Sequence, residues 1–445
     1  MPALSPAIVA LLLSVVLLQV ANGMFASLLG VRLGLEPGIN SQVAGLVMSG
    51  YFVGMVLGCL AVPRIIEQVG HVRAFAALVS IMSAASISHA FLVDPLYWFV
   101  LRVVYGICVA GAYMVAESWL NGAAGNEHRG SLLSIYMVAQ YVAMTSAQYL
   151  LNLAPPTSFV LYALVSILFS LALVPLTLSR SAGSSSVTRS ALSFKQLYRI
   201  SPLGMVASFG SGILNGALFG AASVFATAIG FTVSEVAIFV SAILIGGLVV
   251  QWPIGKASDL FDRRTVIAGS LGLTTVLGLL LAFLPFPGFW VYVAMAGLYG
   301  GLCMTIYSLA VAHTNDYVEA TDLVAASAGL LLAFGIGAVL GPIATTSAMQ
   351  WVGNWGYYGI GAGVSAAVGL FTVWRMKQRQ ALPVDEQGPW VSVSRTTPVA
   401  AELDPRWEPE EEETAGDDTA GDDMAGSDTA EDDTKPDPTP APAQG

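Results

Sequence analysis

The sequence predicts an all-α integral membrane protein, with about twelve transmembrane helices in two pseudo-symmetric six-helix bundles and a disordered acidic C-terminal tail. Three observations carry this. Of the 445 residues, 55% are hydrophobic and 11% charged, with a mean hydropathy of +0.71; a soluble domain holds about 25% charged residues. The apolar residues come in runs of about 20, the length that crosses a bilayer as a helix, rather than in the alternating segments of a membrane β-barrel. Equivalent residues also recur in the two halves at a nearly constant separation of 192 to 194 positions.

The first six spans are expected near Ala7–Leu29, Gln42–Val62, Val72–Leu92, Tyr97–Asn121, Leu132–Leu153 and Phe159–Leu178. A serine-rich stretch, Ser179–Ser201, separates them from six more near Pro202–Ile229, Val236–Ile254, Val266–Leu284, Phe289–Ala312, Val324–Met349 and Tyr357–Trp374. Span 1 has no basic segment before it and a longer apolar run than a signal peptide uses, so it is kept as a true span. The organisation is therefore an N-terminal half over 1–179, a central loop over 180–201, a C-terminal half over 202–380 and a tail over 381–445.

The formal charge of −11 is unevenly placed. From Ala381 onward there are 18 acidic and 3 basic residues, which leaves 11 acidic and 15 basic residues in 1–380. The tail, rich in Pro, Asp, Glu, Thr and Ala, is expected to stay solvated because it has too little apolar surface to fold alone. It is read as an appendage, or as a docking or regulatory element. A polyanion of this kind repels nucleic acid and anionic headgroups, so no nucleic-acid partner is expected.

Basic residues set the orientation. With both termini in the cytoplasm, 13 of the 15 Lys and Arg in 1–380 fall on cytoplasmic segments, leaving Arg32 outside and Arg102 within a helix. The positive-inside rule disfavours the reverse. A multi-pass cytoplasmic-membrane protein follows.

The repeat pairs Asn22-Gly23 with Asn215-Gly216, and Gly54, Arg64 and Glu67 with Gly246, Lys256 and Asp259. It also pairs Tyr105-Gly106, Tyr113 and Asn121 with Tyr299-Gly300, Tyr307 and Asn315. Two parallel six-helix halves with a substrate site between them is a plan of secondary transporters.

Gly255-Lys-Ala-Ser-Asp259-Leu-Phe-Asp262-Arg263-Arg264 resembles the loop signature of the major facilitator superfamily, Gly-x-x-x-Asp-x-x-Gly-Arg-Arg, with Asp262 in place of its Gly. The loop after span 2 is a degraded copy: Pro63 stands for the first Gly and Glu67 for the Asp, before Gly70-His71-Val72-Arg73. Arg102-Val-Val-Tyr105-Gly106 with Ala110 resembles the span-4 motif Arg-x-x-Gln-Gly-x-x-x-Ala, with Tyr105 for Gln. Glu117-Ser-Trp-Leu-Asn121 and Ala310-Val-Ala-His-Thr-Asn-Asp316 resemble the YcaD-type branch of bacterial facilitators. The resemblance covers about residues 5–375. It implies the facilitator fold and a transporter, names no substrate, and gives Arg102 a position linked to proton coupling or substrate binding.

Glu67 and Arg73 after span 2, and Asp259, Arg263 and Arg264 after span 8, are the expected gating loops. A loop carboxylate contact worth a few tenths to about 2 kcal/mol can break in each cycle; the bland alternative is that the arginines only set topology. On span 4, Arg102, Tyr113 and Glu117 share one stripe, with Arg102 and Glu117 about 22 Å apart along the axis. Ionised groups there are expected to face the cavity or a partner helix. Glu117 is read as the coupling group or as an interfacial residue at its helix end. Tyr136, Gln140, Gln148 and Asn152 recur at multiples of four on span 5, as a cavity face or as hydrogen-bonding glue between helices. Asn22 and Asn215 suit a two-sided substrate clamp, or close helix packing through the glycines beside them. His313, a lone histidine, is read as structural. Gly337-Ala-Val-Leu-Gly341-Pro342 resembles an antiporter motif but lies in span 11 rather than span 5, so a packing kink is expected.

The best reading is a secondary transporter of a small, polar or anionic solute, proton-coupled by default, monomeric, and in contact only with the lipid bilayer and its solute. No metal site is expected from Cys59, Cys108 and Cys303, which lack metal-ligand spacing. No cofactor and no enzymatic activity are expected, since neither a nucleotide motif nor a histidine cluster is present. The rivals are a membrane-embedded enzyme acting on lipid and a facilitator fold that signals through its tail.

Overall fold

A computed structural model describes residues 6–123, 129–178, 193–285, 288–319 and 322–397. Among these the chain forms thirteen α-helices and no β-strand. The N-terminal half holds α1 (Pro6–Leu35), α2 (Ser41–Val69), α3 (His71–Ser88), α4 (Pro95–Ala123), α5 (Arg129–Tyr149) and α6 (Phe159–Leu178). A short α7 (Phe194–Ile200) lies in the central loop. The C-terminal half holds α8 (Pro202–Ala228), α9 (Val233–Leu260), α10 (Arg263–Phe283), α11 (Phe289–Asn315), α12 (Leu323–Val352) and α13 (Gly356–Met376).

Eleven of these helices are long and apolar enough to cross a membrane. The twelfth expected span is α5, whose hydropathy is lowered by Tyr136, Gln140, Tyr141 and Gln148. Side-chain caps fix the starts of several helices. Asn40 accepts from the Val43 amide at the head of α2, and Thr232 and Glu235 form a reciprocal capping box on α9. Asp262, the residue that departs from the facilitator signature, is the N-cap of α10: its Oδ1 accepts the Arg264 amide at 3.0 Å.

The internal repeat marks where helices cross. A Cβ on Gly54 would sit 2.1 Å from the Val103 carbonyl oxygen of α4, and one on Gly246 would sit 1.9 Å from the Gly297 carbonyl oxygen of α11. Small residues at these matched positions let α2 meet α4, and α9 meet α11, backbone to backbone.

The halves meet closely at one face. There Gly30 and Gly34 of α1 pack on Ser223 and Thr227 of α8, Gly45 of α2 packs on Thr346 of α12, and Ser234 donates to Asn152 at 2.7 Å. Toward the other face, which carries the α2–α3 and α9–α10 loops and is called here the basic face, α2 and α12 part. Between them lies a cavity of about 610 Å³ lined by both halves.

Residues 388–397, expected to be solvated, are instead folded back into the basic-face end of this cleft, while 383–386 stay exposed. Val393 is buried among Phe52, Tyr307, Leu331 and Phe334, and Trp390 packs over Gly255. The acidic charge is concentrated further on: between Gln387 and Ala401 the only charged residue is Arg395. Residues 179–192 of the central loop and 398–445 of the tail lie outside the described residues.

Candidate functional site

The cavity walls are mostly apolar, with Phe52, Met55, Phe219, Leu331 and Phe334 among them. A few polar groups interrupt them, a composition typical of small-molecule sites.

Arg102 of α4 is the buried cation of this cavity, only 2% exposed. Its guanidinium carbon lies 4.8 Å from the ring centre of Tyr51, 5.6 Å from Tyr105 and 5.9 Å from Phe25. The aromatic faces attract the charge through their quadrupoles. Among the described residues no carboxylate pairs with it, and its Nε has no hydrogen-bond partner. A charge held this way is incomplete, because a buried cation is costly until an anion joins it.

Beside it, Asn22 of α1 accepts from the Tyr105 hydroxyl at 2.8 Å and lines the cavity, as does Tyr113. Gln140 lines it too and accepts from Gln19 at 3.4 Å. Gln148 does not line it: its amide donates to the Met144 and Gly23 carbonyls at 3.0 and 3.4 Å, tying α5 to α1. Asn152 donates to the Tyr149 carbonyl beyond the end of α5. Span 5 therefore divides between cavity face and helix glue.

Glu117 sits toward the basic face, fully buried. Its carboxylate accepts from Tyr136 at 3.1 Å, from Ser394 at 2.9 Å, from Thr396 at 2.5 Å and from Thr397. Across the cleft, Asn215 donates to Ser211 and to the Cys303 carbonyl, and its Oδ1 accepts from Arg395. Arg395 also donates to the Tyr141 hydroxyl at 2.8 Å, which in turn accepts from Gln251 of α9 at 3.1 Å. Tyr51, Tyr141, Gln251 and the segment 388–397 are site residues that composition and motif did not single out; the alternation Val391-Ser392-Val393-Ser394 was the available signal.

At the basic face the loop residues separate by burial. Arg263 is 1% exposed and pairs with Asp316, the C-cap of α11, at 2.5 Å, while Asp259, 42% exposed, stands 4.0 Å away. Arg263 also donates to Ser258 and to the carbonyls of Ala312 and Gly388. Arg264 pairs with Asp262 at 3.0 Å and donates to the Arg379 carbonyl. Asp259 accepts the Trp390 amide at 2.7 Å. Glu67 and Arg73 lie exposed at the α2–α3 turn. His313 is buried with its ring edge-on to Tyr317. Gly337 and Gly341 pack against the Phe209 and Ile213 carbonyls, a close α8–α12 contact.

The sequence matches the model of the Major Facilitator Superfamily over residues 11–220 and 204–407. The chain belongs to that superfamily. An uncharacterised MFS-type transporter of Enterobacter sp. (strain 638) is 28% identical over 342 residues, covering 76% of this chain and 88% of the relative. The uncharacterised MFS-type transporter YcaD of Escherichia fergusonii is 27% identical over 345 residues, with the same coverage. Among solved structures, the nucleoside transporter NupG superposes with a TM-score of 0.67 at 14% identity, covering 84% of this chain and all of NupG. A bacterial homologue of the human lysosomal transporter Spinster gives 0.63 at 16% identity, covering 92% of this chain and all of the homologue. These likenesses establish the facilitator fold. With its many spans, the superfamily member is a multi-pass membrane transporter.

Proposed function

We propose that this facilitator moves a small anionic solute with an apolar body across the cytoplasmic membrane by alternating access. Both termini and the basic face lie in the cytoplasm. The reading rests on one observation: Arg102, buried in the cavity between the halves, has aromatic faces around it and, among the described residues, no carboxylate beside it. An anionic headgroup would complete its charge, and Asn22 and Gln140 offer hydrogen bonds nearby. The apolar walls suit the remainder of the molecule, and a cavity of about 610 Å³ bounds it to a small molecule.

Glu117 serves in this reading as the proton-carrying group, since it is a carboxylate buried within a span and in the same cleft. The basic rim formed by Arg64, Lys256, Arg263, Arg264 and Arg379 supports the cytoplasmic assignment of that face.

A thermal-shift screen of the purified protein against small anions, run with wild type and Arg102→Ala, tests the reading. A ligand of the folded state raises the melting temperature by mass action. A carboxylate or similar anion that stabilises wild type and not Arg102→Ala is the expected result. Stabilisation by lipophilic cations alone would overturn it. The rival reading, signalling through the tail, draws on the docked segment 388–397; solute-driven flux in liposomes separates the two.

A further inference from the structure

We propose that residues 388–397 are a tethered wedge, a piece of the chain's own C-terminus that holds the cleft open at the basic face and must leave before the halves can close there. The inference rests on the transport reading for its consequence, though not for the docking itself.

The wedge is defined by what it touches. On the N-terminal half, Ser394, Thr396 and Thr397 donate to Glu117, Arg395 donates to Tyr141, and the Cys59 thiol lies 3.8 Å from the Thr396 carbonyl oxygen. On the C-terminal half, Arg395 donates to Asn215, Ser392 meets Gln251 at 3.2 Å, and the Val393 amide donates to Ser308. Its base is pinned at the loop: the Gly388 carbonyl accepts from Arg263, its amide donates to Asp316, and the Trp390 amide donates to Asp259. One short segment thus bonds α2, α4 and α5 of one half and α8, α9, α10 and α11 of the other.

Alternating access requires those two surfaces to approach each other on this side. Protein interiors pack without spare volume, so a segment carrying Trp390, Val393 and Arg395 between them is incompatible with closure. The docked segment therefore stabilises one state of the transporter and not the other, which is the requirement for shifting a conformational equilibrium. Twelve residues after Met376 bring the chain to Gly388, so the tether is short and the local concentration of the segment is of millimolar order. Weak individual contacts then suffice to keep it seated. The contacts are also reversible: most are hydroxyl, guanidinium and amide hydrogen bonds, with Trp390 and Val393 as the main apolar contacts.

Two cysteine readouts test this on the whole protein in nanodiscs. Cys59 lines the cavity and is half-buried, while Cys108 and Cys303 are buried, so maleimide reports on Cys59, with Cys59→Ala as the blank. The full chain is compared with chains ending at Gln387 or at Thr397, and with the full-length variant Arg395→Ala/Thr396→Val/Thr397→Val. Labelling at least about tenfold faster is expected in the chain ending at Gln387 and in the triple variant, the ratio for a segment seated in roughly nine molecules of ten. The chain ending at Thr397 should label as slowly as the full one. Equal rates throughout, or fast labelling on removing 398–445 alone, overturn the wedge. The triple variant decides if the truncated chain melts early.

The second readout is Ser223→Cys, with the native cysteines replaced by alanine, at the closed face where Gly30 packs on it. Removing the wedge should raise its labelling, because the closed face then opens more often; an unchanged rate overturns the lock even if Cys59 is freed. If both sites respond while no solute is carried by any form of the protein, the transport reading fails and the wedge stands.

Discussion

Ser394 donates a 2.9 Å hydrogen bond to the Glu117 carboxylate, joining residues 277 positions apart in the chain. In the proposed reading, the bond brings the proton-carrying group and the docked segment to one carboxylate. Three of the four hydroxyls that its carboxylate accepts, those of Ser394, Thr396 and Thr397, belong to the C-terminal segment, and the fourth, Tyr136, belongs to the neighbouring helix. A carboxylate accepts at both oxygens, and its hydrogen bonds are stronger than those of a neutral amide. Any proton or solute group that reached the Glu117 carboxylate would therefore compete with these hydroxyls.

Replacing Glu117 with Gln should separate coupling from movement. Gln cannot carry the proton, so uptake driven by an imposed pH gradient is expected to fall roughly tenfold or more, a coupling free energy of ordinary size. Exchange of labelled for unlabelled solute needs no net proton movement and should persist. Liposome flux run in both modes decides this; equal loss of both would make Glu117 a structural or substrate-binding group.

Arg102→Ala should leave the unliganded protein about as stable as wild type. Two effects oppose. The mutation loses cation–π contacts to Tyr51, Tyr105 and Phe25, worth roughly 0.5–2 kcal/mol at such sites. It also removes a buried cation that no carboxylate compensates among the described residues, a cost of several kcal/mol. The melting temperature is expected to stay within about 3 °C of wild type or to rise, while stabilisation by anions disappears. A fall well beyond that range would make Arg102 a structural cation.

The fold was legible because its signals are long and repeated. Twelve apolar runs, a constant offset between halves and the placement of basic residues each report on many residues at once. Asn22 and Arg102 were legible only as polar groups within spans that need a partner or water, with cavity and helix packing both open; both line the cavity. Gln148 shows where this stops: the same periodicity serves a cavity face and a bond to the Gly23 carbonyl, and only the packing of α5 on α1 separates them. The segment 388–397 was hidden by averaging. It is too short to span a bilayer, and its apolar alternation was diluted by the acidic residues downstream from Glu402. Its partners lie at Glu117, Asn215 and Asp316, which no local pattern connects.

The loop after α9 should divide its labour unevenly. In the signature it resembles, Asp259 is the prominent carboxylate, yet Arg263 pairs at 2.5 Å with Asp316, both buried, and stands 4.0 Å from an exposed Asp259. Breaking a buried pair by removing one partner strands the other charge and costs about 3–5 kcal/mol. An exposed pair is worth about 0–1 kcal/mol. Asp316→Ala is therefore expected to lower the melting temperature by several times the effect of Asp259→Ala. Thermal melts of the two single variants check the order, and a reversal would place the main anchor at Asp259.

The crossing of α2 and α4 should tolerate no side chain at Gly54. A Cβ there would stand 2.1 Å from the Val103 carbonyl oxygen, which is backbone and has no rotamer to move. Gly54→Ala must therefore push the helices apart, at about 1–3 kcal/mol for overpacking and more where neighbouring contacts are lost with it. Gly246 at the matching crossing faces the Gly297 carbonyl at 1.9 Å and should behave alike. Gly269 supplies the control, since it is an exposed position on α10 with nothing within 4 Å of an added Cβ. Replacing it with Ala removes a helix-interior glycine and should gain about 0.5–1 kcal/mol. Melting temperatures of the three variants should thus split by sign, two falling and one rising. Equal behaviour at Gly54 and Gly269 would show that the close crossing does not limit the packing of the N-terminal half.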